Sequence, residues 1–455
     1  MCKALGKRIG SKVRKHPLFS AMDKYLNQLL HCPHHRRLIE EIRSLQVLET
    51  LRQEFSFLKG NYLILVVSWI FMDFAGEIPG AYYSLYIKDL GGSEAIVGLI
   101  GFVSFLCIAA VQFPGGHLAD KYGRKWLVST MTFGVALSYI FYALAPSWEF
   151  IMLGAVLQNL CLIYQPALFA MISDSLPPEK RGMGISITQL IGSVATTPGP
   201  IVAAYLFLQY KEILGMRISY GIVVALFLAA AVLRLTLKET IKDPPKISPR
   251  ELLNAYPDSL RESFKVWKIV PRSTFYLFLS FLAGGFSFAM IQSFTVIYAV
   301  EDLGLSRPDW SIVLMFLFVA MIVLSIPVGK LVDRAGRKIP LLLSYLLMIP
   351  SILLFIYGDF FRLAVSLVLM GVVQLMMFSS YQALMADLVP REQRGKVTGF
   401  SQFFNYITMA IGVLVGGIIF NTVSRQLPFF LVIVFIVPQF LLTFFMVHEP
   451  KQREQ

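Results

Sequence analysis

From Gly60 onward the chain alternates long apolar runs with short polar connections, and twelve of those runs are long enough to cross a bilayer. A hydrocarbon core about 30 Å thick needs about 20 residues of helix. Backbone groups inside it must bond to one another, so each run is expected to be helical. The spans fall at about 62–86, 96–114, 126–145, 150–173, 184–205, 218–237, 273–299, 310–328, 339–358, 363–386, 397–420 and 428–447. Composition agrees: 56% of the 455 residues are hydrophobic and 15% charged, against about 45–50% and about 25% in soluble domains. A soluble enzyme, a disordered chain and a nucleic-acid-binding domain are excluded on that ground. The expected fold is an all-α integral membrane protein of twelve transmembrane helices set in lipid.

The net charge is +13, and its placement sets orientation, because short cytoplasmic loops collect Lys and Arg. The N-terminal arm, the even-numbered loops and the C-terminal tail hold 35 of the 41 basic residues and the odd-numbered loops 6. On that count no basic residue is left inside a span, and both termini are expected in the cytoplasm, with the protein in the cell membrane. The arm, residues 1–60, has 12 basic and 5 acidic residues and no apolar core, unlike a secretory signal. In it Leu38, Ile42, Leu45, Leu48, Leu51, Phe55 and Leu58 recur at helical spacing and mark an amphipathic helix. Residues 61–237 form a first six-span bundle, 238–272 a linker with its own amphipathic segment, 273–447 a second bundle and 448–455 a tail. Cys2, Cys32, Cys107 and Cys161 make neither a disulfide framework nor a zinc spacing. The cluster His31-Cys32-Pro33-His34-His35 in the basic arm reads as solvated, so no metal and no cofactor is expected.

The two halves repeat one another at a single offset. Pro114-Gly-Gly116-His-Leu-Ala-Asp120-Lys-Tyr-Gly123-Arg124-Lys125 follows span 2, and Pro327-Val-Gly329-Lys-Leu-Val-Asp333-Arg-Ala-Gly336-Arg337-Lys338 follows span 8, with seven of twelve positions identical. The shift of 213 residues also relates Asp174-Ser-Leu-Pro177 with Arg181 to Asp387-Leu-Val-Pro390 with Arg394, and Asp89-Leu-Gly-Gly-Ser93 to Asp302-Leu-Gly-Leu-Ser306. Three matches in one register imply two similar six-helix bundles, the parallel repeat of one class of secondary transporter.

The Gly-x-x-x-Asp-Lys/Arg-x-Gly-Arg-Lys loop, present after both span 2 and span 8, resembles the signature loop of the major facilitator superfamily. The resemblance covers about Asn61 to Val447, including span number, linker and both loop copies. Glycines at 116 and 123 permit a tight turn and close helix approach, and Arg124 and Lys125 can pair with Asp120. The resemblance implies that Asp120 latches against the start of span 11, with Asp333, Arg337 and Lys338 as the mirror copy. Asp174 with Arg181, and Asp387 with Arg394, are expected to bridge one helix end to the next helix start and serve as gates. In span 5, Pro198-Gly199-Pro200 is similar to the kink segment of the superfamily's drug:proton antiporters. Ala195, Ala203 and Ala204 depart from that pattern, and span 4 lacks the arginine that branch carries there, which argues against a proton relay through span 4.

Of 28 Asp and Glu, only Asp73 and Glu77 fall within a span. A charge at mid-bilayer costs about 2.5–3.5 kcal/mol on insertion scales, so such residues are functional candidates. Four residues apart, they share one face of span 1, and so close a pair disfavours joint ionisation. Asp73 lies about 16 Å into the span at 1.5 Å per residue, near mid-membrane. Spans 1, 4, 7 and 10 line the cavity in the resembled family, which nominates Gln158, Gln165, Gln292 and Gln374 as further cavity residues. No nucleophile–base pair, metal cluster or phosphate loop points to an enzyme or to ATP-driven transport. The expected function is secondary transport of a small organic solute by alternating access, working as a monomer, with export in exchange for protons or another coupling ion as the first reading. Uptake or facilitated diffusion of sugars, amino or organic acids is the alternative. A non-transporting sensor stands behind both, since a scaffold has no use for a costly buried carboxylate.

Overall fold

A computed structural model describes residues 57–177, 180–241, 270–390 and 393–449. The amphipathic helix and histidine cluster of the arm, the amphipathic segment of the linker and the last residues of the tail lie outside the described residues. Among those described, twelve helices are long and apolar enough to cross a membrane. In chain order they are Gly60–Gly80, Glu94–Gly116, Lys125–Ala143, Trp148–Asp174, Leu190–Gln209 and Glu212–Arg234, then Arg272–Asp302, Arg307–Ala335, Lys338–Ile356, Phe360–Leu388, Arg394–Thr422 and Leu427–Met446.

The repeated motifs turn out to be helix boundaries. Gly123 and Gly336 adopt φ of 95° and 86°, and Gly91 and Gly304 of 86° and 72°, a left-handed region where only glycine is free of Cβ strain. Ser93 and Ser306 then cap the next helices, accepting from Ile96 N at 3.4 Å and Asp309 N at 3.2 Å. Gly116 and Gly329 do not form turns. The helices run on through them to Tyr122 and Ala335, and the space beside both is open. The turn belongs to Gly123 and Gly336 alone.

Beyond each turn the next helix is capped by a distant carboxylate. Glu239, after span 6, accepts from Arg124 N at 3.0 Å and Lys125 N at 2.9 Å. Glu449, after span 12, accepts from Lys338 N. Burial works against the charge on Glu239, but the amides of Arg124, Lys125, Ile241 and Thr240 outweigh it and hold its carboxyl below the usual glutamate range. A lowered value in the folded state means that the stabilisation is complete above the ordinary glutamate range and is lost as the pH falls through the lowered value. Glu239→Gln should therefore lower the melting temperature at neutral pH, by the equivalent of about 0.3–1 kcal/mol, with the deficit closing in acid. A neutral-pH melting temperature equal to the parent's would remove this cap.

At Gly98 and Gly417 spans 2 and 11 approach backbone to backbone. A methyl group on Gly98 would lie 2.9 Å from the carbonyl of Val413 and 3.0 Å from Gly417 Cα, the small-residue packing that brings membrane helices close. In the first half Tyr139, Tyr142 and Tyr220 form a buried aromatic core, with Tyr142 and Tyr220 rings 4.9 Å apart.

Candidate functional site

Asp73 and Glu77 stand one turn apart on span 1, and both face span 5. A methyl group on Gly192 would lie 3.0 Å from Asp73 Oδ2, and one on Gly199 2.7 Å from Glu77 Cβ. Two glycines seven residues apart thus leave room for two carboxylates four apart. Pro198 and Pro200 supply no backbone N–H, and the helix breaks there, ending at Thr196 and resuming at Gly199. The Pro198-Gly199-Pro200 segment therefore seats its glycine directly on the carboxylate-bearing turn.

Glu77 lines a central cavity of about 420 Å³ walled mostly by the second half. Gln292 of span 7 and Gln374 of span 10 line it as well, with Trp310, Tyr345 and Gln439. Asp73 lines a second cavity of about 330 Å³, with Trp69, Phe169, Thr188, Ser193 and Thr196. Gln158 is placed elsewhere: its amide donates to Tyr139 Oη and accepts from Tyr142 Oη, both at 2.8 Å. Those bonds tie it into the aromatic core as a helix–helix link. Gln165 opens the helix that follows the 3₁₀ turn Leu162–Tyr164, where Pro166 interrupts span 4.

Two polar residues of this interior escape the sequence reading. Gln439 is buried in span 12, donating to Phe435 O at 3.0 Å and Ser287 Oγ at 3.4 Å. Arg234 corrects the count that leaves no basic residue inside a span: it lies within span 6 as bounded above, 218–237, and the total of 35 counts it with the linker. It is the last residue of the span 6 helix, and its side chain is fully buried. Nε donates to Ser68 Oγ at 2.9 Å and Nη1 to Thr132 Oγ1 at 2.8 Å. The guanidinium lies 5.4 Å from the Tyr164 ring centroid, a cation–π contact, and its charge acts on Asp73. So the first-half core holds an arginine after all, supplied by span 6 instead of span 4. The apolar Leu235 and Leu237 beyond it extend the hydrophobic run past the arginine without saying which way its side chain turns.

At the end where spans 1 and 2 meet, the halves are joined by charge. Arg307 grips Asp89 through two bonds of 2.8 and 2.9 Å. Lys88 bridges Glu94 and Glu301, both at 2.7 Å. Arg425 reaches Glu94 at 2.8 Å, Asp302 at 3.0 Å and Glu301 at 3.1 Å. Burial opposes the charge of Arg425, yet Asp302, Glu301 and Glu94 together raise its already high pKa. Beneath these pairs Tyr82 Oη donates to Arg307 O at 2.6 Å and Trp310 Nε1 to Ala81 O at 3.1 Å. Ala81 and Trp310 also line the central cavity at this end.

At the opposite, basic face the repeated loops pair within each half. Arg124 pairs with Asp174. In the second half Arg337 contacts Asp387 at 3.3 Å and Asp333 at 3.6 Å. The expected bridge from Asp387 to Arg394 is replaced: Arg394 donates to the carbonyls of Val389, at 3.0 Å, and Ala386. These are carbonyls at the C-terminal end of the span 10 helix that would otherwise lack donors. Asp120 belongs to the last turn of the span 2 helix and Arg181 opens the helix of span 5; the side chains of both lie outside the described part.

Two copies of a six-span unit around an interior cavity lined by a carboxylate are the build of a secondary transporter. The family model described as Major Facilitator Superfamily matches residues 65–321 and 297–455, and the chain belongs to that superfamily. The multidrug resistance protein MdtG of Citrobacter koseri is 26% identical over 378 residues, covering 78% of this chain and 87% of the relative. MdtG of Salmonella typhimurium is 25% identical over 383 residues, covering 78% and 88%. Among solved structures, an inward-facing, unoccupied bacterial homolog of the human lysosomal transporter Spinster superimposes with a TM-score of 0.66 at 18% identity, over 85% of this chain and 97% of that one. The human organic anion transporter MFSD10 gives 0.60 at 16%, over 84% and 98%. At such identities these structures establish the fold alone.

Proposed function

We propose that this transporter exports a bulky, amphipathic organic cation in exchange for protons, by alternating access, as a monomer in the cell membrane with both termini in the cytoplasm. The observation that carries the reading is the central cavity: among the described residues Glu77 is the one charged group in its lining, set among Phe288, Leu317, Phe318 and Met348 with uncharged polar groups such as Gln292 and Gln374. A cation with apolar bulk is matched by that wall, whereas a sugar lacks enough polar partners and an organic acid meets like charge. The relatives named for multidrug resistance support the same reading. So does the Pro198-Gly199-Pro200 break against Glu77. The basic face is the cytoplasmic one by the excess of Lys and Arg in its loops, so the ion-paired face is the outer one and is closed in this state. In the alternate state Asp120 latches the cytoplasmic face against span 11. Exposed side chains such as Leu208 and Phe361 meet lipid.

The test uses purified protein in vesicles, with ethidium as the probe and the membrane potential clamped. Vesicles with an acidic lumen should accumulate ethidium above protein-free controls, and a proton ionophore should abolish the difference. Symport reverses the sign, and a distribution equal to that of protein-free vesicles under either gradient overturns transport of this class of solute. In intact cells an impermeant maleimide should label Ser147→Cys and leave Ser248→Cys untouched; the opposite pattern inverts the topology.

A further inference from the structure

We propose that Phe318 is the coupling gate of this transporter, a ring that separates a solute chamber containing Glu77 from a proton chamber containing Asp73. The inference rests on the exchange reading above and adds to it a division of labour between the two carboxylates and the residue that enforces it. Among the described residues, Phe318 is the one side chain that lines both cavities. On span 8 the lining positions are Leu314, Leu317, Phe318 and Met321, a stripe at helical spacing that keeps one face turned to the interior. Leu314 and Leu317 wall the Glu77 cavity, and Met321 walls the Asp73 cavity. Span 1 shows the same order from its other end, with Glu77 and Gly80 in the first cavity and Asp73 and Trp69 in the second. The chambers are therefore stacked along the membrane normal, and the carboxylates are one turn apart, about 6 Å of helical rise. A single aromatic ring is enough to divide them.

The walls differ in origin, although hydroxyls line both. The Asp73 chamber carries hydroxyls at Thr188, Ser193 and Thr196, groups that donate and accept and so can hand on a proton. A bulky organic cation has no comparable route past an aromatic side chain. Trp69, Asp73, Phe169 and the span 5 residues belong to the first half, whereas Phe318 and Met321 belong to the second. When the halves rock, the second-half wall moves relative to Asp73, and proton access changes with the same motion that reorients the solute site. Solute and proton thus bind to separate acids that answer to one moving wall.

The experiment pairs ethidium transport with ethidium binding, read by tryptophan quenching, in Phe318→Ala and the conservative Phe318→Leu. In acid-lumen vesicles Phe318→Ala should keep downhill ethidium counterflow but lose accumulation, its ratio falling to that of protein-free vesicles, while Phe318→Leu retains most of the parent's ratio. With Phe318 intact, Glu77→Gln should raise the ethidium Kd about tenfold or more and Asp73→Asn much less. In the Phe318→Ala background Asp73→Asn should become costly to binding as well, a non-additivity that two separate sites do not show. The inference is overturned if Phe318→Ala accumulates ethidium like the parent. It is also overturned if both carboxylates matter equally to binding while Phe318 is present. Should Phe318→Ala not fold, Phe318→Leu and the two single carboxylate variants still decide it through binding. A parent that binds ethidium but shows no gradient-driven accumulation would instead defeat the exchange reading, and the binding arm would still test the division into chambers.

Discussion

Asp73→Asn should abolish pH-gradient-driven accumulation while leaving exchange of ethidium across vesicles of equal pH on both sides. The asparagine mimics the protonated acid, so the carrier is fixed in the state that has already taken up its proton. Reorientation with bound solute on both legs of an exchange needs no release of that proton, whereas net transport does. The loss should be complete within detection, because among the described residues no second acid lines the Asp73 chamber. Gradient-driven uptake by Asp73→Asn at the parent's level would exclude Asp73 as the proton carrier. Loss in Glu77→Gln alone, with binding intact, would transfer that role to Glu77.

Reversal of charge at the outer face should have the second large effect. Arg307→Glu sets a carboxylate against Asp89 in place of a two-bonded ion pair whose side chains are only 18% and 21% exposed. Removing one member of a desolvated interfacial pair costs about 2–5 kcal/mol. Partial exposure here argues for the lower end, and a tenfold shift in the open–closed equilibrium takes about 1.4 kcal/mol. The variant should spend most of its time open to the outside. Spin labels at Leu144 and Tyr357, on connections at that face in opposite halves, should report a longer separation, and transport should fall about tenfold or more. Restoring the pair in swapped order, Asp89→Arg with Arg307→Glu, should recover both distance and transport. Unchanged distances in Arg307→Glu would show that this face is held by the helix packing at Gly98 and Gly417 instead.

Local features of this molecule were legible in the chain, and long-range pairings were not. Span positions, the 213-residue repeat and the isolation of Asp73 and Glu77 on one helix face follow from periodicity and from the cost of charge in lipid. The partners of Arg124 were out of reach, because Asp174 and Glu239 lie 50 and 115 residues away. Arg234 was hidden by position: at the end of a span, a buried arginine and an interfacial anchor look alike until the packing around it is seen. Gln158 shows the converse limit. Its span was identified, but spans are apolar on every side, so the pattern could not say whether it faces the cavity or, as it does, Tyr139 and Tyr142.

The outer ion pairs have a consequence for how the two halves choose each other. Lys88 and Glu301 occupy the same place in the repeat, and they bond directly, so that pair straddles the axis relating the halves. Glu94 and Arg307 are likewise equivalent and likewise opposite in sign. In a two-fold symmetric dimer each residue near the axis meets its own copy. A pair of first halves would set Lys88 against Lys88, and a pair of second halves Glu301 against Glu301. At these positions a duplicate meets like charge, while the unlike halves are complementary. Opposite charges at equivalent positions favour the unlike mate at this face, so that as separate polypeptides the halves are expected to pair with each other.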